Sequence, residues 1–585
     1  MKKKYLFILS FLVVLCLGIF VRFYQVTKFP PSLYWEEIAL GYDAYSILKT
    51  GKDHLGNPPP IVAFESYGDY KPALYFYLLV PSIAAFGLNE FAVRLPAMIA
   101  GVLIVIGVGI LARQIARNLK INPLRIQILG MALTAISPWA ILFSRAAWEV
   151  NVATCFLVWG AIFGLSCTEQ IKRKIFFTKK GIFSAIFCFL LLALSMYTYH
   201  AARVIAPLFG LAFFVMWCIQ FDWFSQSMKT PRKWWKKHAR SFFVFFFLGA
   251  LFLRFISPLL LSLRDKSTQE RLAETNIFAD GHVVVESNHY QELANHSLIA
   301  KIFYHRYVLY TKEFFQNYFL HFRFDFLFVH GDQNLRHSVQ FFGQLYFIDA
   351  VFLLFGFAYV FRHWKKDSAF LIFWLFVAIL PAALTNATPH ALRILPSMPA
   401  FLLLITFGVY SVVETLQELA QRFFSAKYKK QINMGACLVI FFMYAVSFVA
   451  FWHFYANVYS KLYSGGWQYG YRQIVAEINK RKPNVKQIYF TRELDRPAMA
   501  YWFFSQTDPR KVQPIDHTLQ RDQGSFLQFE NITFVNFINE IPSGATVASS
   551  VESMERAKKE GHTFTDITEI KDLNDKTIWA VYTLN

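Results

Sequence analysis

Residues 30–48 read "PPSLYWEEIALGYDAYSIL" and set two adjacent carboxylates, Glu36 and Glu37, soon after a long apolar run. Acids beside a membrane are costly to desolvate, and such residues usually serve a function. Read as a helix over 33–48, the segment puts Trp35, Ile38, Tyr42 and Tyr45 on one apolar face and Glu36 with Asp43 on another. That pattern predicts a helix lying on a membrane surface with its acids toward an interfacial cavity. The competing reading is a pair of merely solvated acids. Further on, "ESYGDYKPALYFY" adds Asp69 and Lys71. A lysine there can hold a phosphate as a point charge, or it can snorkel at the interface.

Cations then recur at predicted helix junctions. Arg94 stands in "GLNEFAVRLP", Arg145 in "SPWAILFSRAAWEVN", His200 and Arg203 in "YTYHAARVIAP", and His390 and Arg393 in "TNATPHALRILP". Guanidinium groups grip phosphate oxygens in a bidentate fork, so these junctions read as anion recognition. Glu149, four residues after Arg145, also permits a plain i,i+4 salt bridge. The stretch "FVHGDQNLRHS" supplies His330, Asp332, Arg336 and His337. His and Asp can bind a metal, but this spacing is not diagnostic. The preferred reading is a loop that caps a cavity and shapes an acceptor site. No metal or other cofactor is expected, with a divalent ion as the open alternative.

The elements that must carry these residues are membrane helices. Of 585 residues, 55% are hydrophobic and only 17% charged, with 65 Phe and a mean hydropathy of +0.34. Soluble domains carry about 25% charged residues. The net charge of +21 is ascribed to cytoplasmic loops rather than to nucleic-acid binding. The six cysteines lie in or beside apolar runs, without metal-ligand spacing or a disulfide framework. The first apolar run, behind Lys2, Lys3 and Lys4, is as long as a span and lacks a small-residue cleavage site, so it reads as a retained helix.

Eleven spans are expected, at about 5–24, 95–112, 126–144, 148–166, 182–199, 203–220, 241–262, 344–361, 368–385, 395–413 and 434–453. The stretch 73–87, interrupted by Pro81, is short for a span. If it lies in the membrane plane, every basic loop falls on the cytoplasmic side. The outer side then holds loops 25–94 and 263–343, the three basic junctions and the segment 454–585. Expected domains are thus a membrane module, 1–453, and an outer α/β domain, 454–585. In the latter, "YGYRQIVAEINKR" and "SMERAKKEG" read as helices, and "VKQIYFT", "NITFVNF", "ATVASSV" and "TIWAVYTL" as strands. It has no phosphate loop or nucleophile motif and is expected to bind acceptor or partner.

The acid pair after the first span, the "KP" lysine, "G-(6)-RLP" opening the next span and the junction arginines together resemble the GT-C glycosyltransferases. The likeness is to the family-39 branch, which holds protein O-mannosyltransferases and the aminoarabinose transferases that modify lipid A. It covers about the first 400 residues, and the first-loop motif is its most specific part. The resemblance implies a polyprenyl-phosphate sugar donor, used on the outer face. It puts Glu36 at the catalytic Asp position, followed by Glu37, and implies that Lys71 holds the lipid phosphate; Arg94 is carried over as a further phosphate ligand. Glu36 keeps the carboxylate of the family Asp and adds a methylene.

Displacing a polyprenyl phosphate from an anomeric carbon needs a base for the acceptor hydroxyl, worth about 10²–10⁴-fold, and cations for the departing phosphate. Glu36 suits the first task. Lys71, Arg393, His390, Arg203 and Arg94 suit the second. Asp43, Asp69, Arg145, Glu149, His200, Asp332, Arg336 and His337 are expected to orient substrate. Single displacement inverts the anomeric centre. The acceptor is a lipid, a glycan or a protein, and the location a plasma membrane crossed many times. The rival readings are a transporter or flippase, which would show paired broken helices, and a polysaccharide polymerase or ligase, which need not have an acidic first loop.

Overall fold

The computed structural model describes residues 2–66, 69–223, 231–264, 276–279, 281–423, 429–493, 496–515 and 528–585. Along the chain, α1 (Lys2–Phe23) and α2 (Trp35–Thr50) precede a two-stranded hairpin of β1 (Ala63–Ser66) and β2 (Asp69–Pro72). Then follow α3 (Leu74–Phe86), α4 (Glu90–Asn118), α5 (Pro123–Ile136), α6 (Pro138–Ser144), α7 (Glu149–Lys172), α8 (Lys179–Met196), α9 (Ala202–Gln220) and α10 (Pro231–Leu261). The large loop carries α11 (His282–Leu293), α12 (Leu298–Phe303) and α13 (Arg306–Leu320). Four more apolar helices come next: α14 (Asp349–Arg362), α15 (Lys366–Val377), α16 (Met398–Phe423) and α17 (Lys429–His453).

Among the described residues nine helices are long and apolar enough to cross a membrane, so the protein is a multi-pass membrane protein. A tenth arises if α5 and α6 form one span bent by 61°. The bend has a local cause: Ser137 precedes Pro138, which disfavours helical backbone, and sits at φ −60°, ψ 130°. The eleventh expected span, 344–361, is where the structure differs. It holds only α14, 14 residues long, whereas a bilayer core takes about 20. The residues before it form a turn closed by the Tyr346 N–H donating to Asp349 Oδ2 at 2.9 Å. The 73–87 stretch is α3, whose 13 residues are also short for a crossing.

Two compact units divide the chain: residues 1–22, 99–144 and 148–451 in the first, 23–98, 145–147 and 452–585 in the second. The first loop and the C-terminal segment, which the expected division at 453/454 separates, therefore fall in one unit. In the first unit, α14 and α16 approach backbone to backbone. A Cβ on Gly408 would lie 1.7 Å from Phe352 O, so only glycine fits there.

In the second unit, the C-terminal segment forms α18 (Tyr471–Arg481), β3 (Ile488–Thr491), α19 (Pro497–Phe504), β4 (Gln528–Phe529), β5 (Ile532–Val535), β6 (Thr546–Ser550), α20 (Val551–Lys559), β7 (Phe564–Lys571) and β8 (Thr577–Leu584). The sheet order is β4-β5-β3-β6-β8-β7, with β3 parallel to both β5 and β6 and the remaining pairs antiparallel. Both helices and all four strands read from the sequence are present. The edge strand β7 was not foreseen, because "FTDITEIK" shows little apolar alternation and most of it is exposed. One core gathers Val547, Ala580, Tyr582 and Leu584 from the sheet with Ala557 of α20.

Candidate active site

Helix α2 places the acid pair in its first turn, where two carboxylates favour the positive end of the helix. No side chain of its own caps it. Instead the Trp35 N–H donates to Gln468 Oε1 at 2.7 Å. At the other end Gly51, at φ 71°, turns the chain and donates to Ile47 O. The helix does not lie on a surface with one face open, as its apolar stripe suggests. Glu37, Asp43 and Ser46 are buried along with Ile38 and Tyr42. α19 covers part of it: a Cβ on Gly41 would come 2.6 Å from the Phe503 ring.

The two acids have opposite surroundings. Glu37 is fully buried. Its Oε1 accepts from Arg94 Nε at 2.9 Å and from the Ala147 N–H at 2.9 Å, and its Oε2 accepts from Arg94 Nη2 at 3.0 Å. Arg94 completes its five N–H bonds on Val26 O (2.6 Å), Pro30 O (3.0 Å) and Ser32 O (2.5 Å). The expected catalytic Glu37 and phosphate-binding Arg94 are thus joined in a closed ion pair that pins the entry loop to α2. Arg94 has no N–H left for a phosphate.

Glu36 keeps 27% of its side chain exposed. Its Oε2 accepts from the Tyr34 hydroxyl at 2.6 Å, and Lys71 Nζ lies 3.6 Å away. Lys71 comes from the hairpin, where it pairs across from Phe64. Its ammonium also sits 5.1 Å from the Trp35 ring centre, and the Arg496 guanidinium lies 4.4 Å from the same ring. The Trp35 indole thus has two cations within cation–π range. The side chain of Asp69 lies outside the described residues.

Asp43 does not share a face with Glu36 toward a cavity. Its Oδ1 is 2.5 Å from His54 Nδ1 and accepts the His54 N–H at 3.1 Å, and its Oδ2 accepts from Ser66 Oγ at 2.7 Å. All three residues are fully buried, so Asp43 ties α2 to the hairpin. Beside it, burial pushes the Asp53 carboxyl above its usual range. Gln513 Nε2 donates to Ser46 Oγ (3.1 Å), Thr50 Oγ1 (2.8 Å) and Asp53 O (3.0 Å), fastening the end of α2. Arg145 is buried too, donating to Tyr24 O at 2.8 Å and Phe29 O at 2.7 Å and lying 4.6 Å from the Phe29 ring.

In the first unit, the loop after α13 and the segment before α16 bring Asp332, His337 and His390 together, their ligand atoms within 4.8 Å of one another. Asp332 Oδ2 is 3.3 Å from His337 Nδ1 and 3.9 Å from His390 Nδ1. It also accepts the Ala391 N–H at 2.7 Å, while Oδ1 accepts the Asn334 N–H at 2.8 Å. Burial alone would push the Asp332 carboxyl up, but His337, His390 and the Asn334 N–H outweigh it and hold the acid low. Burial, then His337 and Arg393, push His390 down. His321, at the end of α13 with Nδ1 2.9 Å from Asn317 O, is pushed down to about 4, chiefly by burial. Arg393 donates to Thr385 Oγ1 and, at 3.4 Å, to Ala387 O. The Arg336 N–H is held by Asn334 Oδ1 at 3.0 Å. His200 is half-buried on the turn before α9, Arg203 is half-buried in the first turn of α9, and Glu149 is buried at the start of α7. His330 is outside the cluster, exposed and 2.5 Å from Asp325.

Sequence reading missed Tyr34, His54, Gln468, Arg496, Gln513 and His321. Tyr34, His54 and His321 stand near a motif in the chain; Gln468, Arg496 and Gln513 come from distant segments and carry no local signal.

The architecture that holds these residues is the GT-C fold. The chain is similar in structure to ArnT from Cupriavidus metallidurans bound to undecaprenyl phosphate, with a TM-score of 0.50, 12% identity and 97% of each chain covered. It is also similar to the apo state of that protein, with a TM-score of 0.50, 11% identity, and 99% of this chain and 98% of that one covered. Archaeal oligosaccharyltransferase AglB from Archaeoglobus fulgidus gives a TM-score of 0.48 at 12% identity, over 95% of this chain and 70% of that one. No protein-family model matches the sequence, and no curated protein matches it.

Proposed function

We propose that this protein is a membrane glycosyltransferase that moves a sugar from a polyprenyl-phosphate donor to a lipid, glycan or protein acceptor on the extracytoplasmic face, inverting the anomeric carbon. One observation carries the reading. In a GT-C fold, the acid pair of the first loop divides into a locked carboxylate, Glu37, and a reachable one, Glu36, which has Lys71 beside it. Glu36 is the base that takes the acceptor hydroxyl proton as the oxygen attacks the anomeric carbon. Lys71 meets the negative charge that grows on the departing phosphate.

Glu37, Arg94 and Asp43 are positioning residues: they hold α2 so that Glu36 points out. The solved relative bound to undecaprenyl phosphate supports the donor class. The test is release of polyprenyl phosphate from a panel of polyprenyl-phosphate sugars by detergent-purified protein, with an acceptor extract present. Release by wild type establishes the donor and names the sugar; its absence, together with no binding of any donor, counts against the reading.

A further inference from the structure

The cluster of Asp332, His337 and His390 is used by none of this. Two imidazole nitrogens face one carboxylate oxygen at 3.3 and 3.9 Å. Those distances are long for charge-assisted hydrogen bonds, which fall near 2.7–2.9 Å. At 3.4 Å the Arg393 backbone N–H is only a weak competitor for His390 Nδ1.

We propose that Asp332, His337 and His390 bind one divalent transition-metal ion of the zinc class. Zinc takes nitrogen and carboxylate oxygen at about 2.0–2.2 Å, which puts neighbouring ligand atoms of a tetrahedron roughly 3.3–3.6 Å apart. One pair already has that spacing, and all three atoms lie within 4.8 Å, so side-chain adjustment closes the set. Two imidazoles and a carboxylate suit zinc, cobalt or manganese better than magnesium, which prefers oxygen.

The surroundings are those of a built site. Amide N–H groups of Asn334 and Ala391 fix both carboxylate oxygens, and the His337 carbonyl is held by Gln344 Nε2 at 3.1 Å. The Trp148 and Phe143 rings stand 5.2 and 5.8 Å from the His337 ring and form an apolar wall. Asp332 and His337 are 4% exposed. Three protein ligands leave one position for water or an anionic oxygen. The ion joins residues 332–337 to residues 390–391, and it does so whether or not the protein transfers sugar.

The experiment is metal content of the full-length protein in detergent, stripped with a chelator, dialysed against micromolar zinc and read by mass spectrometry. Wild type should retain about one zinc per chain. His330→Ala should retain the same, since His330 lies outside the cluster. Asp332→Asn and His390→Gln should fall to background, with monodisperse elution showing that they remain folded. Cobalt replacement should give a visible d–d band in wild type that His390→Gln lacks. Background zinc in wild type overturns the proposal, as does full retention by a folded Asp332→Asn or His390→Gln. If both variants fail to fold, wild-type stoichiometry and its cobalt spectrum decide.

Discussion

Two carboxylates of this protein, Glu37 and Asp332, are buried to similar degrees and satisfied in contrasting ways. Glu37 meets a guanidinium whose five donors are all spoken for, and the result is closed: every charge has a fixed partner, and nothing remains to meet a ligand. Asp332 meets two backbone amides and two imidazoles, whose nitrogens lie at 3.3 and 3.9 Å, the arrangement from which we infer a metal site. Burial and charge are therefore poor guides to chemistry by themselves. What separates these two acids is the kind of partner each meets, a guanidinium in one case and imidazoles in the other. Glu36 differs from both: it keeps 27% of its side chain exposed, with a tyrosine hydroxyl on one oxygen and a lysine at 3.6 Å.

The closed pair is the place to break this contrast hardest. Arg94→Ala leaves Glu37 charged and buried without its partner, a change that costs about 3–5 kcal/mol. We expect loss of monodisperse protein, read by size exclusion; a stable, active Arg94→Ala would mean that the pair is not structural. Gly41→Leu forces a side chain into the Phe503 ring and should lower the melting temperature through an overpacking cost of about 1–3 kcal/mol. An unchanged melting temperature would show that α2 is not packed on α19. Ser66→Ala removes one donor from Asp43 and should cost about 1–3 kcal/mol, measured the same way, with donor binding kept in the folded fraction.

The smallest effect belongs to an exposed site. Hydrogen bonds from Lys482 and Lys511 hold Glu530 below its ordinary value. Its contribution is present above the ordinary glutamate range and is lost as pH falls through the depressed value. Glu530→Gln should therefore flatten a shallow acid-side slope in melting temperature, and an unaltered slope would assign that slope to other acids.

Much of the fold was legible because membrane helices announce themselves by long apolar runs. The exception, 344–361, is apolar enough over its length, yet a turn at Tyr346 and Asp349 consumes its first residues. In the site, Glu36 and Lys71 stood out through residue type and local motif, and the structure sets them side by side. The partners of Glu37 were not legible. Arg94 is 57 residues away and was credited with a phosphate, since a sequence cannot show that five donors are already engaged. The cap on α2 is a glutamine 433 residues distant, which no local pattern can reveal. Asp43 misled for a related reason: helical periodicity fixes which face an acid lies on, but not what covers that face.

The account rests on Glu36 being the base and Glu37 a support, and one comparison tests it directly. Wild type, Glu36→Gln and Glu37→Gln would be assayed for release of polyprenyl phosphate from the active donor, each checked for fold and donor binding. Glu36→Gln should remain folded and bind donor while release drops by about 10²–10⁴-fold, with Glu37→Gln losing stability before it loses chemistry. Release by folded Glu36→Gln at the wild-type rate would contradict the account and move the base elsewhere.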